Sequence, residues 1–211
     1  MRSVVLFCLT LVLQYGSAPA KPAAEEAGSA SQTPTYTGDG RLLFPTNYRE
    51  WIYLTSGVDM SYSPDPMMMG HSMFDNVFVN PDAYRSFLQT GTWPDKTMLV
   101  LEVRKAGTKA SINKTGHYQT GELMGREVHV KDESRFPDTG KWAFFGFDDK
   151  LVAKQVPKEA ACYSCHEQHA AVDTTFVQFY PTLMEIAQKK NTLSPAYVKE
   201  EATNQEPKEA H

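Results

Sequence analysis

Cysteine is scarce in this sequence, with three among 211 residues. Cys8 lies in an apolar stretch near the N-terminus, which leaves Cys162 and Cys165 as the cysteines of the remaining chain and excludes a disulfide-rich framework. A second long apolar run is also missing, so no membrane span is expected, and the first run, from Val4 to Leu13, is too short to cross a bilayer. Positive charge is nowhere concentrated. Lys and Arg number 21 against 25 Asp and Glu, a formal net charge of −4, and without a basic patch no nucleic acid partner is expected. No internal repeat is visible, which excludes a repeat array.

What is present divides the chain into four parts. Arg2, the apolar run and then Ala18-Pro19-Ala20 read as a secretory signal over residues 1–20, which in a bacterium places the mature protein in the periplasm. Residues 21–40 are rich in Ala, Glu, Ser, Thr, Pro and Gly and have little to bury, so a disordered linker is expected. The polar stretch 191–211 reads as a similar tail. Between them, residues 41–190 form one domain, and the chain's 41% hydrophobic content suffices for one core.

Short β-branched and aromatic segments dominate the first two thirds of that domain. Residues 51–54, 74–80, 97–104, 123–131 and 142–147 read as strands separated by Gly, Pro, Asp and Asn. Pro81 opens a helical pattern through Leu88, with Tyr84, Phe87 and Leu88 at helical spacing. From Lys158 to Lys190 the pattern is helical, interrupted near Asp173 and Pro181. The expected class is α+β: a mainly antiparallel sheet with flanking helices, and a late helix that carries the one chemical motif of the chain.

That motif is Cys162-Tyr163-Ser164-Cys165-His166, a C-x-x-C-H run. Two thiols three positions apart lie about one helical turn apart and can both form thioethers to one porphyrin, while the following His projects its imidazole under the iron. A thioredoxin-type redox pair would need a βαβ context, and a zinc site would need two further ligands at knuckle spacing; neither is present. The reading is one covalent haem c, attached through Cys162 and Cys165, with His166 as the metal ligand. The motif comes late and only Met184 follows it, which argues against an all-helical His/Met electron carrier.

The segment from Cys162 to Leu183, reading C-Y-S-C-H-E-Q-H-A-A-V-D-T-T-F-V-Q-F-Y-P-T-L, resembles the C-terminal haem segment of the cytochrome P-460 and cytochrome c′-beta family. Pro45-Thr46-Asn47-Tyr48-Arg49-Glu50-Trp51, Val77-Phe78-Val79-Asn80-Pro81-Asp82-Ala83-Tyr84 and Lys131-Asp132-Glu133-Ser134-Arg135-Phe136-Pro137 are similar to further blocks of that family, in the same order. The resemblance implies a commonly homodimeric, mostly antiparallel β protein whose five-coordinate haem is open to nitric oxide or to hydroxylamine-like ligands, with electron exchange to a redox partner protein.

The resemblance also assigns roles to positions outside the motif. True P-460 cytochromes, which oxidise hydroxylamine, cross-link a Lys to the porphyrin, and the matching position here is Leu101, which cannot form the bond. Lys105 shares its strand face, so a shifted cross-link is the alternative. Glu127 falls where the family's distal carboxylate, a proton acceptor, is expected; alternation groups it with His129 and Lys131 on what would otherwise be a solvent face. A carboxylate in an apolar pocket would have the raised pKa that such a base needs. Phe74 and Phe78 could cap the distal side or be plain core.

The remaining histidines and methionines carry weaker signals. His169 lies on the side of the helix that bears His166 and reads as a local hydrogen-bonding group. His117 and His71 are loop histidines that could supply a sixth ligand or be simply solvated. Met67-Met68-Met69-Gly70-His71-Ser72-Met73 offers thioether and imidazole groups suited to Cu(I) but lacks a Met-x-x-Met repeat, and a loop over the haem edge is the expected role. Three functions follow: small-ligand binding with electron transfer, a hydroxylamine oxidoreductase, or a simple electron carrier.

Overall fold

A computed structural model describes residues 32–60 and 72–205. The leader, most of the linker and the methionine-rich segment with His71 lie outside the described residues. β1 (Leu42–Leu43) pairs with β7 (Val152–Ala153), while β2 (Ile52–Val58), β3 (Met73–Val79), β4 (Met98–Gly107), β5 (Tyr118–Lys131) and β6 (Trp142–Phe147) form an antiparallel sheet in chain order. This is the α+β, mainly antiparallel class that the sequence predicts.

Each face of the sheet carries a core, fed by the alternation of the strands. Phe78, Met98, Val100, Val128, Val130 and Phe145 pack on one face with Phe44, Tyr48 and Trp51. Val79, Leu99 and Trp142 face the other way, toward α1 (Pro81–Thr90), Trp93, Val172, Val177 and α3 (Pro181–Lys190). Phe87 of α1 and Trp93 lie with ring centroids 4.3 Å apart in that second core. Burying a side chain such as Phe87 contributes about 1.5–3 kcal/mol.

Local chemistry sets the helix ends. Pro81 opens α1, where its missing N–H costs nothing, and Gly91 closes it in the left-handed region at φ +76°. A Cβ on Gly91 would also meet the Lys190 Cβ at 2.7 Å, because the ends of α1 and α3 abut there. Thr192 Oγ1 donates to the Gly91 carbonyl at 2.7 Å across the same junction.

Three expectations need correction. Residues 32–40 are not all linker: Tyr36 packs against Phe136 and Phe145 and pairs with Leu42. The polar tail contains α4 (Pro195–Gln205), which packs on α2 (Ala161–His169). Ser194 anchors its start through backbone and side-chain donations to the Ala171 and Ala170 carbonyls, at 2.7 and 2.6 Å. Finally, the face of β5 that alternation would leave to solvent is only partly so, since His129 and Lys131 are 8% exposed while Glu127 remains exposed.

Candidate functional site

The motif residues lie on α2, and no residue of that helix is buried. A nine-residue helix on a domain surface is normally held by an apolar stripe. Here the side turned to the sheet carries half-buried Tyr163 and His166; Cys165 is half-buried and Cys162 exposed, with both thiols free. Tyr163 ties the helix down, donating to the Val156 carbonyl at 3.1 Å and packing edge-on to Phe144 at 5.0 Å.

His166 is the best-oriented side chain of this region. Its Nδ1–H donates to the Thr174 carbonyl at 2.8 Å, which fixes the tautomer and leaves Nε2 as the free lone pair. Phe176, Phe144 and His129 surround the imidazole with ring centroids at 4.2, 4.6 and 5.2 Å. Burial lowers the His166 pKa, opposed by the Thr174 carbonyl, and burial next to His166 pushes that of His129 well below the usual range. Both imidazoles are therefore neutral near pH 7, the state in which one can ligate a metal. A cavity of about 270 Å³ opens beside His166, bounded in part by Trp142, Phe144, Tyr163 and Thr174.

Strand register extends this face. His129 pairs with Leu99 and Phe144, and Glu127 pairs with Leu101 and Gly146, so Glu127 and Leu101 lie on the same face as His129, about 6–7 Å further along the strand. The next row on that face contains Asp75, Val103 and Gly125. A Cβ added to Gly125 or Gly146 would meet nothing within 4 Å, so the two glycines leave a shallow bed beside Glu127. Glu127 is exposed at the surface of this bed, and the chain packed around it raises its pKa by partial desolvation. The Asp75 pKa is raised to about 6, by burial first and then by the charges of Asp59 and Glu127.

The structure thus brings Glu127 and Leu101 onto the His166 face, and it does not bring Phe74 or Phe78 there. Phe78 packs against Tyr48 and Tyr53 on the opposite face, at 5.4 and 5.7 Å, and Phe74 shares its orientation by alternation. Of the two roles open to these phenylalanines, plain core is the one that the packing of Phe78 fits. Lys105 is paired with Glu122 at 3.0 Å at an exposed position, away from the row of Leu101. His117 is exposed in the connection before β5, and His169 binds Glu200 of α4 at 2.9 Å. Met184 packs against the second core.

Sequence reasoning missed His129, Phe144, Phe176 and Thr174 around His166, and Asp75 beside Glu127. The even spacing of residues 127 and 129 was the available signal for His129. A backbone carbonyl such as that of Thr174 leaves no residue-type signal.

These residues fit a haem. Two free thiols one turn apart, an imidazole with its Nε2 unengaged, aromatic side chains around it and a glycine-floored bed match the thioether, axial-ligand and macrocycle requirements of a c-type group. Among the described residues, no helix is long and apolar enough to cross a membrane. No curated protein matches the sequence. Residues 45–177 match the family described as Cytochrome P460, which covers more than half of the chain and most of the sheet together with the motif helix; the protein belongs to this family of haem-binding cytochromes.

Proposed function

We propose that this protein is an exported, periplasmic c-type cytochrome with one haem held by thioethers from Cys162 and Cys165 and by the Nε2 of His166. Its opposite haem face takes nitric oxide or a related small nitrogen ligand, with electron exchange to a redox partner and with homodimers as the expected assembly. The observation that carries this reading is the Thr174 carbonyl on His166 Nδ1, at 2.8 Å on the helix that bears both thiols. Bound haem would supply a redox-active iron with a sixth position for a small ligand.

The chain's own residues account for the rest. Phe144 and Phe176 pack against the His166 ring and exclude water from it. Beyond His129 the rows of Leu101 and Val103 present Val77, Leu101, Val103, Gly125 and Gly146 with the carboxyls of Glu127 and Asp75, and these two rows contain no imidazole or thioether of their own, although Met73 lies one row further and Met60 reaches over Gly57 beside Asp75. Such a surface supports an open sixth position. The raised pKa of Glu127 favours, as a second reading, a hydroxylamine oxidoreductase in which this carboxylate accepts a substrate proton.

The test is the spectrum of ferrous holoprotein made with cytochrome c maturation machinery. A five-coordinate, high-spin spectrum that shifts on addition of carbon monoxide or nitric oxide is expected. A six-coordinate, low-spin spectrum at neutral pH would contradict an open site and point to a simple electron carrier.

A further inference from the structure

We propose that the turn of residues 172–175 sets the strength of the bond from His166 to the iron, and that Trp93 and His129 act as positioning residues by fastening this turn. The inference rests on His166 as the axial ligand. An imidazole that donates its second ring N–H to a carbonyl becomes a more basic ligand, so the placement of that carbonyl is a control on the metal. In this protein the carbonyl belongs to Thr174.

Residues 172–175 close on themselves. The Thr175 N–H donates to the Val172 carbonyl at 2.9 Å, the Val172 N–H returns to the Thr175 carbonyl at 3.3 Å, and the Thr175 hydroxyl donates to the Val172 carbonyl at 2.8 Å. Asp173, between them, sits at φ +52°, a left-handed conformation that a residue with a Cβ adopts at a cost of about 1–2 kcal/mol. A turn of this kind persists only when its surroundings over-determine it.

Those surroundings come from distant parts of the chain. Trp93, 2% exposed in the connection between α1 and β4, donates its indole N–H to the Thr175 hydroxyl at 2.7 Å. Its backbone N–H and the Lys131 ammonium both reach the Asp173 carboxylate at 3.4 Å, and Lys131 also donates to the Trp93 carbonyl at 2.6 Å. From β5, His129 brings its Nε2 to 3.4 Å from the Thr174 hydroxyl, with its ring stacked on Phe144 at 3.9 Å and 10°. The carbonyl that meets His166 is thus located by the sheet and by a buried tryptophan, whereas a connection that merely joined α2 to α3 would need none of these contacts.

Resonance Raman spectroscopy and redox titration of the holoprotein test the inference. Thr175→Val keeps the shape of the side chain but removes the acceptor for Trp93 and the donor for Val172; His129→Phe keeps an aromatic ring but removes the nitrogen that faces Thr174. Each variant is expected to lower the iron–imidazole stretching frequency of the ferrous protein and to shift the ferric–ferrous equilibrium toward ferrous by about tenfold, at the low end of such second-layer effects. Thr175→Ser retains the hydroxyl and should match the wild type. Wild-type values in both Thr175→Val and His129→Phe, or an equal shift in Thr175→Ser, would overturn the proposal and leave the turn as a structural connection. If either disruptive variant fails to fold, the other decides. Absence of an iron–imidazole band from a five-coordinate, high-spin wild type would instead remove His166 as ligand, an outcome distinct from unchanged variants; in a six-coordinate, low-spin protein, which gives no such band, the redox titration alone decides.

Discussion

Glu127→Gln is expected to reduce any hydroxylamine turnover of the holoprotein by about 10²–10⁴-fold, the usual contribution of a positioned proton acceptor, while leaving nitric oxide binding largely intact. The amide keeps the shape of the side chain and cannot take a proton. Glu127 lies on the His166 face beside Leu101 and Gly146, exposed at the surface, and partial desolvation by the chain around it raises its pKa. Because only the ionised form accepts a proton, activity that depends on Glu127 should rise with pH through its folded-state pKa, above the ordinary range of a glutamate.

Asp75 adds a second pH effect, in stability. Its carboxyl is raised from an ordinary 3.8 to about 6, first by burial and then by the charges of Asp59 and Glu127. The folded state therefore holds this proton to higher pH than the unfolded chain, and the associated stability is present below about 3.8 and lost as pH rises through about 6. Asp75→Asn should remove this component from a pH series of denaturant midpoints. Unchanged hydroxylamine turnover in Glu127→Gln would make Glu127 an ordinary strand residue, and loss of both activities would make it a structural one.

Glu102→Ala is expected to destabilise the protein by about 1–3 kcal/mol, the cost of leaving buried partners such as Tyr48 and Asn76 without their acceptor, read as a lower urea midpoint. Glu102 has no exposed surface, and the Arg104 guanidinium donates to it at 2.8 and 3.0 Å. Tyr48, Arg49 and Asn76 complete the cluster, and Asn76 continues it to Gln119 on β5 at 2.8 Å. The network binds β3, β4 and β5 together on one face, which holds Leu101 and Glu127 on the other; a one-residue slip would turn both away from His166. Burial alone would raise the Glu102 pKa, but the hydrogen bonds from Arg104 and Tyr48 and the charges of Arg104 and Arg49 outweigh it and lower the value to about 2. Its stabilisation is thus present above the ordinary 4.5 and lost as pH falls through about 2, so the variant should also have a flatter acid limb. A loss below about 1 kcal/mol, typical of a surface ion pair, would contradict this role.

Alternation and punctuation made much of the sheet legible in the sequence. β6 begins and ends where its aromatic run does, and Pro81 marks the start of α1. The first part of β5, from Tyr118 to Glu122, has no buried residue and contains Gly121, and pairing with the end of β4 rather than burial makes it a strand. α4 has no apolar stripe that would reveal it, and it is held instead by contacts with α2 such as His169 to Glu200. Alternation also groups Phe74 with Phe78 and Glu127 with His129 but does not say which face meets the motif helix. That choice is made by helices packed from elsewhere in the chain, and it sends the phenylalanines away from His166 and the carboxylate toward it. Cys162, Cys165 and His166 were legible because their chemistry lies in the side chains and their spacing, whereas the support of His166 lies in a carbonyl and a left-handed turn at Asp173.

The most direct test of the covalent c-type assignment is mass spectrometry of the proteolysed holoprotein, with acid-acetone extraction of the intact protein beside it. Colour should stay with the protein, and one haem mass should be found on the peptide that contains Cys162 and Cys165 and on no other, since Leu101 offers no nucleophile for a further bond. A pigment that leaves with the solvent would contradict thioether attachment, and a haem mass joined also to a peptide from residues 99–109 would contradict an uncross-linked porphyrin.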